Sequence, residues 1–245
     1  MDITLGNLAI EVTRRCNMNC AHCLRGNAQN MDIDYSYIDK LLENVSTINY
    51  ITFTGGEPSL NVAAIDYTLK KCQEKNISVG GFYIVTNAKQ NTIELAIAAL
   101  KWYAFVDSFD REYTCGITVS QDMFHDYIDD SNIDVLEGLA FFSKDDKKTD
   151  FNSATLINEG RAKELSSVAF SKRELPEKYL EIDMGNGVIT IESMIYLSAN
   201  GDIRTDCDTA YDNDDYTIGN LNSSSLIDII DTYQKNENEE INLVH

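Results

Sequence analysis

The sequence predicts an α/β fold with parallel strands that carries a small β-hairpin and helix extension at its C-terminal end. Strand-like and helix-like segments alternate from residue 8 to about residue 162, the pattern of repeated β/α units. Two Asn-Gly pairs, Asn186-Gly187 and Asn200-Gly201, then sit between runs of β-formers, which favours tight hairpins over further β/α units. A length of 245 residues suits one α/β barrel with an appendage. The expected division is a barrel over 1–176 and an extension over 177–245.

The first strand is expected over 8–13. Ile38, Leu41, Leu42, Val45 and Ile48 follow at helical spacing, with Ser36 and Asp39 three residues apart as a start signal. Residues 50–54 form a β-rich run ending in glycines. Asn61 is the candidate cap of a second helix whose stripe is Val62, Ile65, Leu69 and Cys72, which assigns Cys72 to the core. A third unit pairs a strand at 82–85 with a helix striped by Ile93, Ile97, Leu100 and Ala104. A fourth pairs 115–120 with a helix around Ile133, Leu136 and Leu139. A fifth strand is expected at about 154–157, before Gly160-Arg161-Ala162. The hairpin region predicts strands at 179–184, 188–197 and 202–206. A last helix carries Leu226, Ile229, Ile230 and Tyr233, and its polar tail from Lys235 is expected to fray.

Twenty basic residues against forty acidic ones give a net charge of −20, which repels phosphate backbones and argues against nucleic acid as a partner. The N-terminal residues lack a basic and apolar leader, and no apolar run reaches membrane-spanning length, so the expected location is the cytoplasm, without a membrane partner. Three of the six cysteines fall within eight positions. In a reducing compartment that clustering points to metal ligation and not to a disulfide framework.

Cys16, Cys20 and Cys23 are spaced C-x3-C-x2-C. Three thiolates on so short a loop can hold three corners of a cubane and leave its fourth iron without a protein ligand. Zinc bound by the three cysteines and His22 is the competing arrangement, but His22 adjoins Cys23 and would be strained to reach the same ion. The loop resembles the signature of the radical S-adenosylmethionine (SAM) superfamily, in which the residue before the third cysteine lies near the adenine; His22 holds that place. The resemblance implies one [4Fe-4S] cluster ligated by Cys16, Cys20 and Cys23, with SAM chelating the open iron. It further implies reductive cleavage of SAM to methionine and a 5′-deoxyadenosyl radical, and an electron donor such as flavodoxin or ferredoxin. The implied fold is a partial (β/α)6 TIM-like barrel, open on one side, with its site at the C-terminal ends of the strands.

Further stretches resemble the same family. Thr54-Gly55-Gly56-Glu57-Pro58 matches its Gly-Gly-Glu-Pro motif, implying that Gly55, Gly56 and Glu57 receive the SAM ammonium. Val85-Thr86-Asn87-Ala88 is similar to its Thr-Asn-Gly, with Ala88 in the glycine's place, which makes Asn87 either a SAM contact or the cap of the next helix. Ser120-Gln121-Asp122, followed by His125-Asp126, resembles a stretch of the peptide-modifying branch and implies SAM contacts from Ser120 and Asp122; a helix cap is the alternative for either. Strand alternation turns Cys115 away from a ligand facing Ser120. Gly160-Arg161-Ala162 resembles a step of the same branch, and Arg161 is as well explained by solvation.

Residues 195–203 and 218–221 resemble the C-terminal extension of SPASM and twitch proteins, where cysteines hold auxiliary clusters. Only Cys207 remains there, so the extension is expected to keep its fold without those clusters. Cys207 is read as either a hydrogen donor to a substrate radical or an ordinary thiol. The acids at 206, 208, 212, 214 and 215 lack the glycine and distal glutamate of an EF-hand and read as a solvated surface. The resulting expectation is a radical SAM enzyme that abstracts hydrogen from a peptide or protein. Action on a small metabolite and a non-catalytic iron-sulfur sensor are the alternatives.

Overall fold

Strand β1 (Asp2–Thr13) runs through the middle of the main sheet, and from Leu8 onward all its side chains are buried, as expected of a strand flanked and covered on both sides. The computed structural model describes residues 2–106, 110–145, 155–166, 169–170, 180–185 and 187–243. In chain order the first elements are α1 (Tyr35–Leu41), β2 (Val45–Gly55), a 3-10 turn (Pro58–Asn61), α2 (Val62–Glu74), β3 (Ser78–Val79) and β4 (Phe82–Thr86). Then come α3 (Thr92–Phe105), α4 (Arg111–Thr114), β5 (Cys115–Ser120), α5 (Asp130–Glu137), β6 (Phe142–Asp145) and β7 (Thr155–Leu156). A second 3-10 turn (Gly160–Glu164) leads to β8 (Ala169–Phe170), β9 (Ile182–Gly185), β10 (Val188–Leu197), β11 (Asp202–Arg204), β12 (Thr217–Asn220) and α6 (Leu226–Leu243).

The strands form an open sheet in the order β12-β11-β10-β1-β2-β4-β5-β6, with β3 and β9 paired at its sides. The pairings from β10 to β6 are parallel, so the architecture is the expected partial α/β barrel with six parallel strands. The sequence alone assigns no residues to a sixth barrel strand. In the structure the sixth is β10, which belongs to the C-terminal hairpins and runs parallel to β1 in a register that pairs Leu8 with Ile195. The expected strand at 154–157 is represented by Thr155–Leu156, which pairs with β8 in a separate two-stranded sheet; the main sheet continues instead through β6. The boundary at 176/177 lies outside the described residues.

Local chemistry explains the other departures. Val45 and Ile48 belong to β2, not to α1: the register shifts between Ile3 and Thr4 so that Ser46 is an extra residue, and this bulge turns residues three apart to the same buried side. Asp34, rather than Ser36, caps α1, its carboxylate accepting from the Ser36 N–H at 2.8 Å. Asn61 precedes α2 without a side-chain cap, because its Nδ2 donates to the Val12 carbonyl at 2.7 Å.

Helix α3 is apolar on all sides, so periodicity alone selected the wrong face. Ile93, Ile97 and Leu100 are 60%, 49% and 48% exposed, while Leu95, Ala98, Ala99 and Trp102 are fully buried. Trp102 packs against Phe53 and Phe82 at ring separations of 5.1 and 6.3 Å, a contact the small alanines permit. Cys72 is buried as expected. At the C-terminus β11 stops at Arg204, short of Asp206. Helix α6 continues to Leu243 instead of fraying at Lys235, over a stretch containing the helix formers Glu, Lys and Gln.

Candidate active site at the C-terminal edge of the sheet

Because β1, β2, β4 and β5 are parallel neighbours, their C-terminal ends share one edge and bring four distant sequence motifs together. The cysteine loop leaves β1 at Thr13 and returns at Asp32, where the two residues form an isolated bridge. Thr13 Oγ1 donates to Asp32 Oδ1 at 2.6 Å, and Arg15 makes a two-pronged ion pair with the same carboxylate at 2.8 and 2.9 Å. Within the loop, Cys16, Cys20 and Cys23 are half-buried free thiols that line one cavity of about 330 Å³.

The glycines of the second motif serve a close approach of backbones. A Cβ on Gly55 would lie 2.2 Å from the Thr13 carbonyl oxygen, and one on Gly56 2.3 Å from that of Arg15. The N–H groups of Gly56 and Glu57 donate to those carbonyls at 2.7 and 2.8 Å. The N–H groups of Gly56 and Glu57 are therefore occupied in joining this loop to the cysteine loop, and an ammonium, itself a donor, would be received by the loop's oxygen acceptors.

Glu57 is 1% exposed. Its Oε1 accepts from Ser59 N and Thr86 Oγ1, and its Oε2 from Asn87 N, at 3.0, 2.6 and 2.7 Å. Burial pushes this carboxyl upward, against the pull of those donors. A carboxylate offers about four lone-pair positions, so Oε2 retains capacity for one further donor.

Asn87 does not cap α3, whose N-cap is Asn91. Its amide donates to Asn17 Oδ1 at 2.9 Å and lies 3.9 Å from Cys16 Sγ, which places it against the cysteine loop. Ala88 keeps a left-handed backbone, with φ of 51°, despite lacking the glycine that this conformation favours.

On β5, Ser120 lines the cavity. Asp122 does not cap α5, a role filled by Asp129. Instead Asp122 accepts from Phe124 N at 2.8 Å, meets His125 Nδ1 at 2.7 Å and faces His22 Nε2 at 3.3 Å. Burial alone would raise its pKa, but these partners hold it below the usual carboxylate range. His22 stacks on Phe124 at 4.7 Å, and burial pushes its imidazole down.

The competing zinc arrangement fails on this geometry. His22 faces Asp122, and among the described residues the three cysteines do not fall within a group whose ligand atoms all lie within 4.8 Å. Ligands on one tetrahedral zinc would be roughly 3.8 Å apart. A wider three-thiol cradle fits a multi-iron cluster. Burial pushes Cys20 to about 11, with Cys16 and Cys23 adding to the rise, the opposition to crowded negative charge that a cationic cluster removes.

Sequence reasoning missed or underweighted several neighbours. Arg161 is not simply solvated: its backbone N–H donates to the Cys23 carbonyl at 2.9 Å and its guanidinium reaches Asn19 and Asn27. Arg25 and Asp208 also line the cavity. The acidic loop is not uniformly solvated, since Asp206 is 6% exposed. Cys207 contacts Asp208 at 3.7 Å, and burial pushes its thiol up to about 12. Cys72 and Cys115 are buried in the core. Arg25 follows Cys23 by two residues in the same loop, and Arg161 is marked only by the Gly160-Arg161-Ala162 step; no local signal marks Asp208, which the fold brings to the cavity from a separate segment.

A family model for the radical SAM superfamily matches residues 10–140. An uncharacterized protein of Methanocaldococcus jannaschii is 38% identical over 87 residues, which are 34% of this chain and 30% of that protein. This match spans less than a third of that relative's length. Among solved structures, native anSMEcpe with bound AdoMet and Cp18Cys peptide shares the fold at 13% identity and a TM-score of 0.53, covering 97% of this chain and 82% of that one. Streptococcus suis SuiB bound to precursor peptide SuiA is a looser likeness, at 16% identity and a TM-score of 0.42, over 91% of this chain and 64% of that one.

Proposed function

The chain belongs to the radical SAM superfamily, and from that premise we propose that it abstracts hydrogen from a peptide or protein substrate. It is a SAM-dependent enzyme with a [4Fe-4S] cluster. Bound together and given one electron, the cluster and SAM supply methionine and a 5′-deoxyadenosyl radical that takes a hydrogen atom from the substrate.

Cys16, Cys20 and Cys23 hold the cluster at three corners. Gly55, Gly56 and Glu57 fix the loop that lines the same cavity, and the Glu57 carboxylate would receive the SAM amino group. His22, braced by Phe124 and Asp122, borders the adenine, while Asn87 and Ser120 line the same space. Asp122 acts through His22 and His125. Cys207 supplies a hydrogen atom to the substrate radical; burial favours the protonated thiol, the form that carries that atom. The electron comes from an external carrier such as a flavodoxin or ferredoxin. No described helix is long and apolar enough to cross a membrane.

The observation carrying this reading is the convergence of three cysteine thiols, the Gly-Gly-Glu-Pro turn, Asn87 and Ser120 on one cavity. A peptide substrate is supported by the open sheet and by the shared fold with an enzyme solved with a bound peptide. Anaerobic reconstitution with iron, sulfide, SAM and dithionite is expected to yield 5′-deoxyadenosine and methionine. Cluster reduction without SAM cleavage would favour the sensor and overturn the enzyme. Neighbouring reading frames are expected to encode a short precursor peptide whose addition increases turnover; turnover with a small metabolite alone would replace the peptide. With the true substrate, Cys207→Ala is expected to abolish solvent deuterium incorporation.

A further inference from the structure

Two buried hydrogen-bond donors lie against the cysteine cradle without an acceptor. Arg161 Nε and the Tyr211 hydroxyl have no partner among the described residues. Both residues line a small cavity shared with Cys16, Cys20, Cys23 and Arg25. An arginine Nε can only donate, and a neutral phenol donates at any pH below its titration. Native proteins rarely leave such groups unmatched, so a buried orphan calls for a partner such as water, an ion or a ligand.

Neither donor is placed by chance contacts of a loose side chain. Arg161 is anchored by its own N–H on the Cys23 carbonyl, and Gly160 before it has φ of 53° and so close a fit that a Cβ would lie 2.4 Å from the Leu24 carbonyl oxygen. Tyr211 donates its backbone N–H to the Arg25 carbonyl at 3.1 Å, and the Arg14 guanidinium covers its ring at 4.6 Å. Arg161 is an electrostatic neighbour of Cys20, and Tyr211 of Cys23. The two residues thus border one cavity with the three thiols from segments about fifty residues apart in sequence.

We propose that Tyr211 and Arg161 donate hydrogen bonds to the sulfur atoms of the cluster held by Cys16, Cys20 and Cys23, and so make that cluster easier to reduce. The inference rests on the cluster reading given above. Anionic sulfur is the acceptor type that the cavity lacks without the cluster. Donors to cluster sulfur stabilise the more negative, reduced state, which raises the reduction potential. Tyr211 belongs to the C-terminal extension, whose contribution in a chain without auxiliary-cluster cysteines is then to tune the remaining cluster. The competing partner for Tyr211 is the buried carboxylate of Glu11, which also faces Tyr196; a water between Tyr211 and Glu11 would satisfy the phenol without involving sulfur.

The test compares wild type, Tyr211→Phe and Arg161→Lys after anaerobic reconstitution, reading iron and sulfide content, the midpoint potential by EPR-monitored titration, and exchangeable-proton couplings of the reduced cluster by ENDOR in H2O and D2O. Each variant is expected to keep its cluster while its one-electron reduction equilibrium falls about tenfold, a shift of about 59 mV. The wild-type spectrum is expected to show exchangeable couplings that diminish in each variant. Unchanged potentials in both variants overturn the proposal and assign Tyr211 to Glu11. If either variant fails to fold or to load, the wild-type spectrum decides, and an absence of exchangeable couplings overturns it. A wild-type protein that takes up no cubane is a separate result, which defeats the cluster reading itself.

Discussion

Glu57 shows how one carboxylate can fix a site without performing chemistry. It ties the turn after β2 to the end of β4 through Thr86 and Asn87, and Asn87 in turn holds Asn17 of the cysteine loop. Glu57→Gln keeps the shape but replaces one acceptor oxygen with an N–H donor that must face an existing donor. It is expected to destabilise the fold by about 1–3 kcal/mol, measured as a lower urea midpoint in cluster-free protein; an unchanged midpoint would show that the three bonds are not held in solution. The three cysteines were legible in the sequence because their spacing is local. The enclosure of Glu57 was not, since two of its donors lie 29 and 30 residues further along the chain. Ala88 marks a limit of motif reading of another kind: its side chain departs from the family glycine, yet the backbone retains the left-handed turn.

Among the elements, β5 and β10 were readable at both ends, β10 through the Asn-Gly turns on either side of it in spite of a register shift against β1. Two others misled for physical reasons. The bulge in β2 imitates helical spacing, and α3 offers apolar residues on every side, so that its packing face is chosen by shape: alanines and Trp102 fit the sheet, whereas Ile93, Ile97 and Leu100 remain outside. This assignment predicts opposite responses on one helix. Ile97→Lys should change stability by no more than about 0.5 kcal/mol, while Trp102→Ala should cost about 3–5 kcal/mol by emptying the space against Phe53 and Phe82. Chemical denaturation of the two variants checks it. A large loss from Ile97→Lys would mean that the outer stripe is covered in the folded protein.

At the scale of the whole molecule, the C-terminal segment completes the sheet and so cannot be a passive appendage. Strand β10 supplies the parallel partner on one side of β1 and buries Ile189, Ile191, Ile195 and Leu197. Below the cysteine loop, Glu11 Oε2 accepts from Arg14 Nε, Ser198 Oγ and Ala199 N at 3.1, 2.7 and 2.8 Å, and Arg14 Nη2 donates to Ser198 Oγ at 2.6 Å. Removing the segment would expose the edge and apolar faces of β1 and strand the buried charges of Glu11 and Arg14, a large penalty beside the stability of an ordinary domain. The two halves should therefore unfold together. Trp102, the single tryptophan, reports on the barrel side, and amide exchange in β10 and β11 reports on the C-terminal side. Their urea transitions are expected to coincide, because β1 loses a hydrogen-bonded neighbour if β10 leaves first, and the cysteine loop loses its ionic support at the same step. Exchange in β10 at lower urea than the tryptophan transition would instead identify the extension as an independently unfolding unit.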